Sequence, residues 1–146
     1  MEPFTTDRQV TVTVPVETGP EPVVARWPLS GRSVGRARRE LRGTLSAWGL
    51  DHLAEPAELV LSELLGNAVR HARTPAGRLV ETRYERMPEG VRIEVHDAND
   101  GLPQMRRAAD DDEGGRGLAL VDALTGRRWG VSSREGVGKL VWALVG

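Results

Sequence analysis

The sequence predicts an α/β (α+β) domain in which antiparallel strands are covered by helices on one side only. Residues 78–85 and 91–97 alternate apolar and polar side chains, so each predicted strand has one core face and one wet face. Residues 57–72 carry apolar side chains at spacings of three and four, as a helix packed on a sheet does. A chain of 146 residues with balanced charge is large enough for one such domain and gives no sign of a second.

Composition argues against several classes of protein. The chain has no cysteine, and its three histidines lack the spacing of metal ligands, so we expect neither a disulfide framework nor a structural zinc site. A net charge of −1 argues against direct nucleic-acid binding. There is no long apolar run and no leader pattern, so we expect no membrane insertion and a cytoplasmic location.

The N-terminal region is predicted to stand apart from the rest of the chain. Residues 9–16 alternate β-branched and polar side chains, which indicates a strand. Residues 17–22 read as a turn or tether, and residues 23–28 as another short strand. The expected organisation is an N-terminal strand and tether over residues 1–22, followed by one domain over residues 23–146.

A first helix is expected to begin near Ser30 or Ser33 and to end at Gly49. Its apolar stripe consists of Val34, Ala37, Leu41, Leu45 and Trp48. Its other faces are basic and carry Arg32, Arg36, Arg38, Arg39 and Arg42. Such a face could dock an acidic partner, although a solvated run of charges is the simpler interpretation.

The helix over residues 57–72 organises the chain. Beside its apolar stripe, Glu63, Asn67 and Arg70 recur at helical spacing, so a carboxylate and a carboxamide project together from one edge. A carboxylate can orient or deprotonate a hydroxyl, and a carboxamide oxygen is a hard ligand that suits Mg²⁺ bound to phosphate. A solvated helix edge is the alternative interpretation.

The strand that follows the hairpin turn ends in Asp97. The turn-forming residues 98–103 come next and would let the chain approach a ligand closely, while a simple capping role for Asp97 is the alternative. Residues 104–114 have no apolar period, which predicts a mobile loop.

A glycine-rich stretch then leads into the last helix. Gly115-Arg116-Gly117 directly precedes an apolar helix start at Leu118, and amides at such a helix N-terminus make a natural phosphate site. Residues 129–132 and 139–145 read as a closing hairpin. The pair Gly138-Lys139 lacks the rest of a P-loop, and we attribute the single lysine to composition rather than to mechanism.

Three motifs in this order resemble those of the GHKL (histidine-kinase-like) ATPases. They are Glu63 to Ala72, Asp97 with Gly101, and Gly115-Arg116-Gly117-Leu118. Within that superfamily the chain is most similar to the small stand-alone bacterial proteins of the anti-sigma-factor serine/threonine kinase type, over residues 24–145. Three ordered motifs are far more specific than any one of them.

The resemblance implies a fold and a ligand. The fold is an α/β sandwich of the Bergerat type, in which a mixed, mostly antiparallel sheet carries helices on one face. ATP with Mg²⁺ would lie between the helix layer and a loop lid. Because residues 104–114 have no apolar anchors and end at the glycine motif, we expect them to form this lid and its ordering to couple nucleotide to partner binding. Residues 23–146 would then form a histidine-kinase-like ATPase domain.

The resemblance also assigns roles to matching residues. Glu63 would be catalytic, as base or orienter of the attacking hydroxyl, and Asn67 would hold Mg²⁺. Asp97 would accept the adenine amino hydrogen, and Gly101 would let the backbone pass near the base. The other positions of the cofactor site are Arg70, Gly115, Arg116, Gly117 and Leu118.

Three departures from the family pattern favour nucleotide binding over fast catalysis. Asn99 replaces the first glycine of the D-x-G-x-G motif and adds bulk beside the nucleotide. Glu113 ends an acidic run where active kinases of this type place a basic side chain. Leu140 stands where many relatives place a threonine near the adenine.

Two classes of function therefore stay open. One is an ATP-dependent serine/threonine kinase that acts on an anti-anti-sigma partner and sequesters a sigma factor. The other is a non-catalytic, nucleotide-gated protein-binding module. A histidine-kinase catalytic domain fits less well, because no dimerising helix with a phospho-accepting histidine precedes the sandwich. A sigma factor or anti-anti-sigma factor is the expected partner, and a homodimer is left open.

Overall fold

The computed structural model describes residues 20–70, 79–97, 112–133 and 138–146. Five strands and three α-helices lie in these ranges, and a short 3-10 turn, Asp51–Leu53, joins the first two helices. In chain order the elements are β1 (Val23–Pro28), α1 (Gly31–Ala47), α2 (Ala54–Arg70), β2 (Leu79–Met87), β3 (Gly90–Asp97), α3 (Asp112–Thr125), β4 (Trp129–Ser133) and β5 (Lys139–Val145).

The strands form one sheet in the order β1-β2-β3-β5-β4. Each neighbouring pair is antiparallel, and the described strands include no parallel pair. Alternate side chains of β2 and β5 are buried, because one face of the sheet packs on the helices. The expected α+β architecture, with a largely antiparallel sheet and helices on one face, is confirmed.

The core lies between that sheet face and the helices. Leu41 and Leu45 of α1 meet Leu61 and Leu65 of α2, and all four side chains are fully buried. Tyr84, the chain's only tyrosine, lies fully buried on β2, and its hydroxyl donates a long hydrogen bond of 3.4 Å to the Ala37 carbonyl. Burial raises the pKa of Tyr84 far above its ordinary value. Each of the four buried leucine side chains contributes about 1.5 to 3 kcal/mol to folding by leaving water.

Local polar contacts fix where α1 lies on the sheet. Ser30 is its N-cap residue, but the Ser30 side chain makes no capping hydrogen bond. The Ser33 hydroxyl instead donates to the Pro28 carbonyl at 2.6 Å, which ties the first turn of α1 to the end of β1. Gly49 follows the helix with φ of 73°, a left-handed conformation that glycine adopts at little cost.

The helix α3 begins earlier than the sequence indicated. It starts at Asp112, so the prediction of a loop through residue 114 is wrong for its last three residues. Apolar periodicity begins only at Leu118, whereas acidic residue types are favoured in the first turn of a helix by its dipole. Near its other end, Asp122 Oδ1 accepts a hydrogen bond of 2.9 Å from Trp129 Nε1, which anchors α3 to β4.

Several predictions concern residues outside the described ranges. They are the strand over residues 9–16, the tether up to residue 19, the end of the predicted helix at residues 71–72, the turn over residues 98–103 with Asn99 and Gly101, and the loop up to residue 111. Within the described ranges, no helix is both long enough and apolar enough to cross a membrane.

Candidate functional site

Three predicted site residues lie along one edge of α2, and their environments differ. Asn67 is only 7% exposed, Glu63 is half-buried, and Arg70 is exposed at the end of the helix. The edge is therefore not simply solvated, because the carboxamide is directed away from water. Arg70 Nη2 donates a hydrogen bond of 2.6 Å to Asn67 Oδ1. The oxygen expected to hold a metal thus already binds a positive group.

Glu63 contacts the opposite helix. A Cβ atom placed on Gly117 of α3 would lie 3.3 Å from Glu63 Cδ and closer still to Glu63 Oε1. Real Cβ atoms are not found so close to an oxygen, so this contact needs glycine at position 117. The structure thus brings together the predicted catalytic carboxylate and one glycine of the predicted phosphate motif.

The predicted phosphate motif is helical rather than a loop ahead of a helix. Gly115 and Arg116 lie in the first turns of α3, and Gly117 follows them. Only the first four N–H groups of a helix lack a partner within it, so the Gly117 amide lies too far along α3 to be one of them. Gly115 is the fourth helical residue, one position beyond the N-cap and the first three helical residues, whose amides lack an intrahelical partner. Leu118, placed in the cofactor site by resemblance, is 1% exposed and packs inside the protein.

Asp97 ends β3 as predicted and is 5% exposed. Its partner across the sheet is Lys139, the first residue of β5. Lys139 is itself 8% exposed, and its Nζ atom lies 3.6 Å from Asp97 Oδ2. The carboxylate expected to read a base is therefore one half of a buried ion pair.

Sequence reasoning missed Lys139 and singled out its neighbour. Leu140 pairs with His96, so it lies on the sheet face opposite to the one that carries Asp97. Position 140 and Asp97 therefore cannot face the same ligand in this register, because adjacent residues of a strand point to opposite faces. Strand alternation contained the signal: Lys139 is in phase with the buried Val141 and Ala143.

The outer face of the sheet carries a second charged group, which the sequence did not reveal. Glu94 accepts hydrogen bonds from Arg92 Nε at 2.7 Å and from His96 Nε2 at 2.8 Å. Arg92 also stacks 4.8 Å from the ring centroid of Trp142 on β5. The bond from His96, more than that from Arg92, holds the pKa of Glu94 at about 2, although burial acts in the opposite direction. This network stabilises the sheet on the side away from the helices.

Two of the arginines expected on the basic face of α1 have an internal partner. Glu58 on α2 is buried, and it accepts a 2.5 Å hydrogen bond from Arg42 Nε. Arg38 Nη2 lies 3.6 Å from the other Glu58 oxygen. The first helix is therefore fixed to the second by charge as well as by packing, and Glu58 offsets part of the basic face.

Metal binding in the described part of the chain would rest on few protein ligands. No group of three His, Cys, Asp or Glu side chains there is arranged to hold an ion. Mg²⁺ typically takes one or two protein oxygens and completes its shell with water and substrate phosphates. A single buried carboxamide oxygen, already directed at a guanidinium, fits that mode of binding.

The fold agrees with the comparison with known protein families. The model of the histidine kinase-like ATPase domain family matches residues 28–144, from the end of β1 to β5. This match covers most of the chain. The chain therefore belongs to the histidine kinase-like ATPase domain family. A search of curated proteins finds no match.

Proposed function

We propose that this protein binds Mg-ATP and regulates transcription through a protein partner, in the manner of the anti-sigma-factor serine/threonine kinases it resembles. The partner would be a sigma factor or an anti-anti-sigma factor, met in the cytoplasm. Family membership supports ATP as the ligand. The single observation that carries the Mg-ATP part of the proposal is the buried Asn67 oxygen, which binds a cationic group at the helix edge where the motif predicts the metal, while the regulatory part rests on the resemblance alone.

Three of the described site residues then have one task each. Asn67 would hold Mg²⁺, which when bound offsets phosphate charge. Asp97 would accept the amino hydrogen of adenine, and Arg70, once it leaves Asn67, would face the phosphates. Such sites act by positioning and electrostatics more than by covalent chemistry.

A second candidate is a nucleotide-gated binding module that transfers no phosphate. The contact between Glu63 and Gly117 favours it, because the carboxylate that should activate a hydroxyl is packed against the backbone of α3. A general base must lie within hydrogen-bond reach of the proton it removes. In this candidate Glu63 joins the two helices, and nucleotide controls only the partner surface.

The partner surface would include the exposed part of the basic face on α1. All five arginines of this face are exposed, but Arg38 and Arg42 pair with Glu58, which leaves Arg32, Arg36 and Arg39 as the arginines of the partner surface. A cluster of guanidinium groups favours an acidic partner and speeds its association at low salt.

The first test is calorimetric titration with ATP in excess Mg²⁺ and again in excess chelator. We expect binding that Mg²⁺ strengthens in the parent, and Asn67→Ala should remove the strengthening while leaving the helix folded, since alanine is a good helix former. Glu55→Ala, an exposed change on the same helix, is the matched control. Absence of ATP binding in the parent would refute the proposal, and equal magnesium enhancement in Asn67→Ala would remove Asn67 from the site.

A second experiment separates the two candidates. The protein is incubated with Mg-ATP and candidate sigma and anti-anti-sigma factors, and phosphorylation and complex formation are followed together. Labelled phosphate on the partner supports the kinase. Complexes that depend on nucleotide without any label support the binding module.

A further inference from the structure

The ion pair between Asp97 and Lys139 occupies the edge of the core where β3 ends and β5 begins. The two residues are direct partners across the antiparallel sheet, and both side chains point to the helix-covered face. Lys139 is the chain's only lysine, and the residues in phase with it on β5 are apolar: Val141, Ala143 and Val145. A lysine therefore stands where the pattern of the strand calls for an apolar side chain.

Stability alone does not account for this pair. Removing two charges from water costs about as much as their attraction returns, and apolar residues of similar size are often as stable in such a place. An ammonium group has three donors and an ionised carboxylate has two acceptor oxygens, so each can serve a ligand as well as its partner. The Lys139 ammonium donates and the Asp97 carboxylate accepts, and the two lie side by side. Together they can bind a planar group that presents an acceptor next to a donor.

We propose that Asp97 and Lys139 read the adenine base together, with Lys139 as a specificity-determining residue. This rests on the proposed function, in which the Asp97 carboxylate accepts from the amino group at C6. The neighbouring ring atom of adenine, N1, is an acceptor, and Lys139 Nζ donates to it. Guanine presents the reverse order, an acceptor at position 6 and a donor at position 1. Its O6 would face the Asp97 carboxylate and its N1–H would face the Lys139 ammonium, and both contacts are unfavourable.

The expected discrimination is large enough to measure. A hydrogen bond to a charged group gives about a tenfold or greater effect on affinity, and a reversed base leaves buried groups unpaired in addition. The parent should therefore prefer ATP over GTP by more than about tenfold. It should also prefer ATP over 1-deaza-ATP, in which a C–H replaces N1, by about tenfold.

The test compares ATP with 1-deaza-ATP, by calorimetry with Mg²⁺ present, in the parent and in Lys139→Met. Lys139→Met should bind ATP and 1-deaza-ATP with about equal affinity. Lys139→Arg, which keeps a donor, should retain part of the preference for ATP. Leu140→Met changes the adjacent residue on the opposite face and should keep the parent's preference. A preference in Lys139→Met equal to the parent's would overturn the proposal.

A second measurement needs no variant and covers the case in which Lys139→Met does not fold. Selective ¹³Cε and ¹⁵Nζ labelling of lysine gives one side-chain signal, since the chain has one lysine. That signal should shift with Mg-ATP and stay in place with magnesium tripolyphosphate, which lacks the base. A shift of equal size with both would overturn the base contact.

The experiments distinguish failure of the proposed ATP binding from failure of the role of Lys139. If the parent binds no ATP, the proposed function and this inference fall together. If it binds Mg-ATP but binds 1-deaza-ATP equally well, only the role of Lys139 is refuted, and ATP binding stands.

Discussion

The carboxylate of Glu63 lies against the backbone of Gly117, in the volume where any side chain at position 117 would begin. The contact joins α2, which carries the predicted metal ligand, to α3, which carries the predicted phosphate motif. Glycine at position 117 therefore leaves room for the Glu63 carboxylate, which a larger residue would displace, and it is not required by an unusual backbone angle, since Gly117 is not among the glycines with positive φ.

Gly117→Ala should fail to gain the stability that alanine normally gives a helix. Gly43→Ala, in α1 with nothing near its Cβ position, should raise the free energy of unfolding by about 0.5 to 1 kcal/mol. At position 117 the displaced Glu63 carboxylate should cancel that gain or reverse it. In a Glu63→Ala background, alanine at 117 should become stabilising. Urea denaturation of the five proteins measures this, and equal gains at 43 and 117 would contradict the contact.

Arg70→Ala should lower the Mg²⁺ concentration needed for half-maximal enhancement of ATP binding. The Arg70 guanidinium and Mg²⁺ use the same Asn67 oxygen, so a bound metal must displace the side chain. A net hydrogen bond of about 0.5 to 1 kcal/mol corresponds to a shift of about two- to fivefold. A magnesium titration at fixed ATP measures the midpoint, with the exposed Arg36→Ala as control. An unchanged midpoint would show that Arg70 does not compete with the metal.

Asp97→Asn should cost stability as well as ATP affinity. The change leaves the Lys139 ammonium buried without its charged partner, for which about 3 kcal/mol is the expected order. Adding Lys139→Met should restore most of the stability but not the ATP affinity, which falls by about 1.5 to 3 kcal/mol with the lost carboxylate. Thermal unfolding and calorimetry on both proteins separate the two effects. Equal stability of the single and double variants would argue against a structural role for the pair.

Acid should destabilise the protein through Glu94. The pKa of Glu94 is about 2 in the folded protein and 4.5 in the unfolded chain. The ionised carboxylate therefore stabilises the fold fully above pH 4.5. That stabilisation, at most about 3 kcal/mol, is lost as the pH falls from 4.5 towards 2. Glu94→Gln should be less stable at neutral pH and should show a flatter profile over that interval. Denaturation between pH 2 and 7 tests this, with exposed Glu89→Gln as the control that should keep the slope.

The sequence was sufficient for most of the architecture because the signals were local. Strand alternation predicted β2, β3 and the closing hairpin, and helical spacing predicted α1 and α2. The sequence pattern did not predict the start of α3, because no apolar period marks the residues before Leu118. The dipole effect that favours acidic residues there is too weak to mark a helix start by itself.

The candidate site was predictable in its residue types but not in its pairings. Motif order named Glu63, Asn67 and Asp97, yet no spacing along the chain shows that Lys139 faces Asp97 across 42 positions. That relation depends on strand order and register, which are set by packing of the whole sheet. The same holds for Gly117, whose small size matters only once α2 and α3 are side by side.

The burial of Tyr84 makes the protein its own indicator of the opening of its core between α1 and the sheet. The phenol lies beneath α1 and its pKa is raised by burial, so it resists ionisation for as long as that helix covers the sheet. Tyrosinate absorbs at longer wavelengths than the neutral phenol, and no second tyrosine contributes to the signal. The appearance of tyrosinate in mild alkali would therefore report the separation of α1 from the sheet, and its rate would follow the opening of the core rather than a proton transfer.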